Sequence, residues 1–189
     1  MSNKTIGKIS LVLSKLIEAA FWIGAVTMVV CLVLALFNQH LMVISPVSDQ
    51  QTVEFDVMGM DFGQINVEML LQAFLIAAPF VFGIFTCMAL IFRSIHQILK
   101  SLKAGSGQAF SEDNSPFQPV IVKQIKKIGW LAIAIPILEM VGSWIASFFF
   151  TGMEPSVNLL QFALGLCVLF LASIFAYGSK LQEETNGLV

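Results

Sequence analysis

Charged residues are scarce in this sequence. Asp, Glu, Lys and Arg make up 12% of the chain and apolar residues 57%, whereas a soluble domain has about 25% charged and about 45–50% apolar residues. No Lys or Arg occurs from residue 16 to residue 92. This composition excludes an ordinary soluble domain and predicts that much of the chain lies in lipid.

Histidine and cysteine are also few, with two His and three Cys. Cys31, Cys87 and Cys167 lie in different apolar stretches, without the Cys-x-x-Cys or Cys/His spacing of a zinc or redox site. We expect them to be small buried apolar side chains. His40 and His96 fall near opposite faces of the membrane and cannot share a ligand, and His96 is expected on a solvated helix face. The sequence therefore predicts no metal centre and no cofactor.

A basic surface and a catalytic motif are both missing. The net charge is −2, and the ten Lys and Arg residues are scattered over several segments, which excludes a stripe for direct nucleic-acid binding. The sequence contains no nucleophile elbow, no phosphate-binding glycine loop and no His-Glu-x-x-His. We therefore expect a protein that is not an enzyme.

The sequence does contain four long apolar runs. A bilayer core about 30 Å thick is crossed by about 20 apolar helical residues. Runs of this length occur at about residues 16–37, 68–93, 128–150 and 158–178. They lack the strict alternation of membrane β-strands. The predicted fold class is all-α integral membrane, with residues 1–189 forming a single domain built as a four-transmembrane-helix bundle.

The basic residues indicate the orientation of these spans. The loops at about 38–67 and 151–157 contain no Lys or Arg. All ten basic residues lie beyond the other ends of the spans: Lys4, Lys8, Lys15, Arg93, Lys100, Lys103, Lys123, Lys126, Lys127 and Lys180. Because basic residues favour the cytoplasmic side, both termini and segment 94–127 are predicted to be cytoplasmic in a multi-pass membrane protein.

An alternating pattern marks the outer loop, residues 38–67. Polar and apolar residues alternate from Thr52 to Met58, and glycines punctuate a second stretch from Met60 to Ile65. This period is typical of strands, so the loop is predicted to hold a small extracytoplasmic β-hairpin. Its acidic edge and nearby methionines form either a cation or copper contact, or a solvated strand face above an apolar face that meets the membrane. Methionine without His or Cys nearby is a poor copper site, which favours the second interpretation.

Two apolar stripes mark the cytoplasmic segment, residues 94–127. One follows the second span and the other leads into the third: Ile95, Ile98, Leu99 and Leu102, then Val122, Ile125 and Ile128. Their spacing predicts two helices that pack as an antiparallel cytoplasmic helical hairpin. The candidate partner-binding residues are Lys100, Lys103, Phe110, Lys123 and Lys126. The lysines could instead hold anionic lipid headgroups.

Glu139 is the ionisable residue deepest in a predicted span. A charge at that depth is costly, so the acid is expected to be protonated, hydrogen-bonded or facing water. Ser143, one helical turn on, and Trp144 are its candidate partners. These three residues form either a ligand, proton or cation site or a neutral packing element. Glu18 lies three residues after Lys15 and is expected to form an interfacial ion pair.

Four cytoplasmic motifs resemble those of a known family. They are Ile98-Leu99-Lys100-Ser101-Leu102-Lys103-Ala104-Gly105, Ala109-Phe110-Ser111, Ile125-Lys126-Lys127-Ile128-Gly129-Trp130 and Phe175-Ala176-Tyr177-Gly178-Ser179-Lys180-Leu181-Gln182-Glu183-Glu184. The chain resembles the bacterial membrane family catalogued as Domain of Unknown Function 2975. The resemblance implies four helices in the bacterial cytoplasmic (inner) membrane. Members are often encoded beside a helix-turn-helix regulator, which implies a cytosolic regulator of that type as a partner. Members commonly end in an acidic residue followed by Leu-Thr-Val, whereas the tail 179–189 ends Asn186-Gly187-Leu188-Val189.

Two functional hypotheses follow from these features. The first is a non-enzymatic regulatory, sensor or scaffolding protein whose cytoplasmic hairpin and tail engage a soluble partner. The alternative is a small transporter or channel subunit that uses Glu139 in a homo-oligomer, with helices kinked at Pro79 and Pro136. Membrane lipids are partners under both hypotheses.

The predicted orientation is testable with introduced cysteines, in a chain whose native cysteines are replaced by alanine. Gln51→Cys and Ser156→Cys should react with an impermeant thiol reagent added to intact cells, because their loops lie outside. Gly107→Cys and Glu184→Cys should react only after the membrane is opened. The mass shift on a gel measures each reaction, and reversed labelling would contradict the orientation.

Overall fold

The computed structural model of the chain describes residues 3–37, 52–58, 60–66, 69–104, 119–150 and 157–186. Within these residues the chain forms four helices and one antiparallel hairpin. In chain order these are α1 (Asn3–Phe37), β1 (Thr52–Val57), β2 (Met60–Asn66), α2 (Leu70–Ala104), α3 (Pro119–Phe149) and α4 (Leu159–Asn186). The predicted all-helical fold with a small hairpin between the first two helices is confirmed.

All four helices are long and apolar enough to cross a membrane. They contain 28 to 35 residues, which at about 1.5 Å per residue corresponds to about 42–52 Å, more than the roughly 30 Å of a bilayer core. The extra length lies where the basic residues are. Both arms of the predicted cytoplasmic hairpin are helical as continuations of α2 and α3, and most of the tail continues α4.

The surface of the outermost helices is apolar. Large side chains such as Leu16, Ile23 and Phe170 are exposed, and only 11% of the α1 span and 11% of the α4 span is buried. Soluble monomers rarely expose apolar patches of this extent, whereas lipid covers them without cost. These features are those of a multi-pass membrane protein.

The chain divides into two compact units. Unit 1 comprises Met1–Ala20, Cys87–Ile133 and Leu160–Val189, and unit 2 comprises Phe21–Thr86 and Ala134–Leu159. The ranges of unit 1 hold all ten Lys and Arg residues of the sequence, and those of unit 2 hold none. The charge asymmetry of the sequence therefore follows the structural division of the chain.

In unit 1, α3 and α4 approach closely at two glycines. A Cβ atom on Gly129 would lie 2.5 Å from Cδ2 of Leu169, and one on Gly165 would lie 2.6 Å from Cγ1 and 3.0 Å from the backbone N of Ile133. Such distances leave no room for a side chain. Small residues at the contact allow the two backbones to pack against each other, as is common in membrane helices.

In unit 2, the hairpin supplies much of the apolar core. Met60, Phe62 and Ile65 of β2 are buried in one cluster with the following residues of α2 and α3: Ala73, Ala77, Val81, Ala146 and Phe150. Val57 of β1, on the apolar strand face that the sequence predicted, packs against the same cluster. Small side chains on α2 and α3 leave space for the large ones of β2.

Two close contacts hold β2 against α3. Gly142 lies under Met60, since a Cβ atom added to Gly142 would be 2.5 Å from the Met60 Sδ atom. The rings of Phe62 and Phe150 meet edge to face, with centroids 5.7 Å apart and an interplanar angle of 81°, a favoured aromatic geometry. The hairpin is therefore anchored by specific side chains.

The hairpin itself carries unfavourable features. Met58 adopts a left-handed conformation with φ of 53°, which costs free energy for a residue with a side chain. Asp56 pairs with Asp61 in the strand register. An isolated two-stranded hairpin is at best marginally stable in water. We infer that the docked apolar face, more than strand pairing, keeps this hairpin folded.

The contact between Met60 and Gly142 is testable by a double-mutant cycle. Met60→Ala should destabilise the protein by about 2–5 kcal/mol through a cavity, and Gly142→Ala by about 1–3 kcal/mol through overpacking. The double variant should lose less than the sum, because the new methyl group occupies space that the thioether vacates. Unfolding of the purified protein in detergent measures each value. Met58→Ala combined with Gly142→Ala is the matched control and should be additive. Additivity of the Met60 pair would contradict the contact.

Candidate functional site

Glu139 and Ser143 lie together on a buried face of α3. Glu139 is 8% exposed and Ser143 is fully buried, and residues four apart share one face of a helix. The Ser143 hydroxyl donates to the Met140 carbonyl oxygen at 3.1 Å, and Glu139 takes part in a polar interaction of its own. The structure thus places a carboxyl and a hydroxyl group side by side in an apolar region of unit 2.

Trp144, the third predicted residue of this site, lies elsewhere. It follows Glu139 by five positions, which at 3.6 residues per turn places it on a different face of α3. Its side chain is 56% exposed. The structure therefore brings Glu139 and Ser143 together and leaves Trp144 outside the buried pair, where its ring is available to lipid.

The hairpin covers the same face of α3. From Glu139 to the helix end, the residues on this face are all buried: Gly142, Ser143, Ala146 and Phe150. Gly142 lies against Met60 and Phe80, and Phe150 against Phe62. Met60 and Phe62 therefore pack on the face of α3 that carries Glu139. The sequence predicted a second short stretch from Met60 to Ile65, but nothing in it named the helix that this stretch meets.

The structure offers no support for a metal site at the hairpin. Met60 is fully buried in the apolar cluster, so its sulfur does not point toward solvent. Among the residues that the structure describes, no group of three or more His, Cys, Asp or Glu side chains could hold a metal ion. Met42, part of the copper interpretation, lies outside the described residues.

A second polar contact joins α1 and α2 in unit 1. The Ser14 hydroxyl donates to the Leu11 carbonyl oxygen at 3.0 Å, and its Oγ atom lies 3.2 Å from Nδ1 of His96. Ser14 is 5% exposed. His96 is half-buried, with one ring nitrogen beside this buried serine.

The expected ion pair near the end of the first span is confirmed. Lys15 Nζ lies 2.8 Å from Glu18 Oε2, with side-chain exposures of 61% and 8%. The nearly buried carboxylate thus has a cation one helical turn away, while the lysine reaches solvent. Long side chains of this kind bury their stem and keep the charge in water.

The predicted partner-binding lysines lie on the helical extensions, residues 94–104 of α2 and 119–127 of α3. Lys100, Lys123 and Lys126 are exposed. Lys103 belongs to α2, and Phe110 lies outside the described residues. The three exposed lysines are free to meet a partner or a lipid headgroup.

Comparison with protein-family models, with curated proteins and with solved structures finds no match for the chain. Membership of the family of unknown function that the cytoplasmic motifs resemble stays a prediction. A functional proposal therefore draws on the residues of this chain.

The state of Glu139 is testable by two substitutions. Glu139→Gln should keep the protein folded with nearly unchanged stability, because an amide replaces a neutral acid in shape and hydrogen bonding. Glu139→Lys should destabilise it by about 3 kcal/mol or more, the cost of a cation at mid-bilayer. Denaturant unfolding in detergent measures both, with Glu18→Gln as a control in which an ionised, paired acid is lost. A large loss with Glu139→Gln would show that an ionised carboxylate is required.

Proposed function

We propose that the chain is a non-enzymatic regulatory or sensor protein of the bacterial inner membrane, with both termini in the cytoplasm. Its helical extensions and tail engage a soluble partner. The observation that carries this proposal is the continuity of α2 and α3, which run as unbroken helices from the apolar core of unit 2 into the lysine-bearing extensions.

The charge distribution supports the orientation. Every Lys and Arg of the sequence falls within the ranges of unit 1, together with both termini. The ranges of unit 2 contain seven of the twelve acidic residues and no basic one. Basic residues favour the cytoplasmic side of a membrane, so unit 1 is assigned to that side and the hairpin to the opposite one.

The burial of the spans supports a role for α2 and α3 in particular. The buried share is 39% for the α3 span and 28% for the α2 span, against 11% for each of the α1 and α4 spans. A partner bound to the extensions thus holds the two helices with the most buried spans. A displacement of either helix would be passed along its continuous backbone to whatever is bound at its end.

The nature of the partner follows from what the chain lacks and what it resembles. No basic stripe is present for direct binding of nucleic acid, so any effect on transcription would pass through another protein. The family resemblance points to a helix-turn-helix regulator. Exposed Lys100, Lys123 and Lys126 fit either an acidic protein surface or anionic lipid, each contributing about 1 kcal/mol in the second case.

A second candidate function is a small transporter or channel subunit. The buried pair of Glu139 and Ser143 favours it, because an ionisable residue inside a membrane span is a functional site by default. The exposed apolar faces of α1 and α4 would allow a homo-oligomer. Proton or cation flux in proteoliposomes that Glu139→Gln abolishes would favour this candidate over a regulatory one.

The regulatory proposal is testable by replacing residues 105–118 with a Gly/Ser linker of equal length. Every lysine of the helical extensions then remains, so lipid attraction is kept while a shaped protein site is lost. Photo-crosslinking from a probe at Gln97, an exposed position of the α2 extension, in native membranes, with mass spectrometry of the adducts, should show one cytosolic partner in the wild type and none in the linker variant.

The matched control neutralises the same surface and leaves the turn intact. Lys100→Gln combined with Lys123→Gln should weaken binding to anionic vesicles while partner capture persists. Capture that survives the linker but fails with Lys100→Gln and Lys123→Gln would show that the lysines, and not residues 105–118, bind the partner.

A further inference from the structure

We propose that unit 1 binds an anionic phospholipid against the exposed side of the α3–α4 pair. The residues of this surface, which we call the lipid site, are Lys123, Lys126, Trp130, Leu166, Phe170 and Tyr177. The lysines contact the phosphate group, and the apolar side chains contact the glycerol and acyl parts of the lipid. This inference requires helices that cross a membrane and does not depend on the cytosolic partner of the proposed function.

The packing of α3 on α4 carries the first step. Gly129 of α3 lies against Leu169 of α4, and four residues further along α3 Ile133 lies against Gly165. The residue numbers rise on α3 while they fall on α4, so the two helices are antiparallel. All four residues belong to unit 1, and their contacts define which sides of the two helices face each other.

The two helices also share one exposed side. Trp130 follows the glycine at the first contact, and Phe170 follows the leucine that the glycine meets. Each residue turns the side-chain direction by about 100° around its helix axis, and in antiparallel helices this turn leads both rings to the same side of the pair. Both rings are exposed. The residues one or two turns away on these helix faces are exposed as well: Lys123 and Lys126 on α3, Leu166 and Tyr177 on α4.

The order of these residues along the helices matches the parts of a phospholipid. Lys126 lies one helical turn, about 6 Å, from Trp130 toward the start of α3, and Tyr177 lies toward the same end of the pair. Leu166 lies in the opposite direction from Phe170, inside the α4 span. Aromatic rings favour the level between headgroups and acyl chains. The lysines therefore fall at the headgroups, and Leu166 falls at the acyl chains.

The charges of the site select the headgroup. Among the described residues, no carboxylate forms an ion pair with Lys123 or Lys126. Acidic residues are absent from residues 119–138 of α3 and 159–182 of α4. A phosphodiester accepts charge-assisted hydrogen bonds from ammonium groups, whereas the ammonium group of a zwitterionic lipid would meet the lysines with no carboxylate beside them. The site therefore fits a phosphodiester with an uncharged remainder, such as phosphatidylglycerol.

The apolar half of the site favours a lipid over a protein as the occupant. Leu166 and Phe170 belong to the α4 span, of which 11% is buried, and lipid is the medium that covers apolar side chains of a span. An acidic protein surface would match the lysines and leave these apolar side chains without a partner. A phospholipid matches both halves.

The test measures fluorescence quenching of Trp130 in phosphatidylcholine proteoliposomes. Trp22→Phe combined with Trp144→Phe leaves Trp130 as the one tryptophan of the three in the sequence, and both replaced rings are exposed. A small share of the lipid carries brominated acyl chains, which quench tryptophan on contact, on either phosphatidylglycerol or phosphatidylethanolamine. The apparent preference for the brominated anionic lipid at Trp130 should be about fivefold or more.

Matched variants separate the lipid site from general attraction. Lys126→Gln should lower the preference about fivefold. Lys100→Gln removes the same charge from an exposed position of α2 and should leave it unchanged. Trp22→Phe combined with Trp130→Phe keeps Trp144 instead. Because no Lys or Arg occurs from residue 128 to residue 179, both brominated lipids should quench Trp144 equally.

A photoreactive side chain in place of Tyr177, used in native membranes, identifies the occupant directly. A lipid adduct is the expected result. An adduct with another protein, or with a second copy of this chain, would show that a different molecule covers the site.

Three quenching results would also overturn the proposal. One is equal quenching of Trp130 by the two brominated lipids, which would show no headgroup selection. Another is a loss with Lys100→Gln as large as that with Lys126→Gln, which would show diffuse attraction to unit 1. The last is the same anionic preference at Trp144, which would show that the lysines do not set it.

Discussion

Placing a charged side chain at the centre of a bilayer costs about 2.5–3.5 kcal/mol by membrane-insertion scales, and this cost shapes the chain throughout. Ten basic residues are confined to the ranges of one compact unit, the apolar spans are nearly free of charge, and the helices extend beyond the length of a bilayer core where the lysines lie. Because the basic side chains lie at one end of α2 and of α3, each of these helices has an apolar end that packs with the hairpin and a polar end that carries lysines.

Two of the acids within the helices, Glu18 and Glu139, are buried, and their surroundings differ. Glu18 is nearly buried but has Lys15 at 2.8 Å, so its charge is compensated and its partner reaches solvent. Glu139 is buried to a similar degree in a unit whose ranges contain no Lys or Arg. Glu18 thus has an adjacent cation, whereas Glu139 takes part in a polar interaction inside an apolar region.

The hairpin contributes large side chains to the apolar core of unit 2. Its turn carries a left-handed residue, Met58, yet β2 places Met60 and Phe62 in the core of unit 2. Packing of the hairpin against Ala and Gly positions of α2 and α3 compensates for the low stability of an isolated two-stranded hairpin. The hairpin is thus held in unit 2 by Met60 at Gly142 and by Phe62 at Phe150.

Much of the fold was predictable because apolar length, strand alternation and charge are local properties of a sequence. They predicted four helices, the hairpin between Thr52 and Ile65, and the pairing of Lys15 with Glu18. The one-turn spacing of Glu139 and Ser143 likewise predicted their shared face. Three outcomes required the tertiary structure: Trp144 outside the buried pair, His96 beside Ser14, and β2 docked on α3. Each outcome depends on which elements pack against each other. The contact of Met60 with Gly142 joins residues that are far apart in the chain, and no local sequence pattern encodes the fit of their shapes.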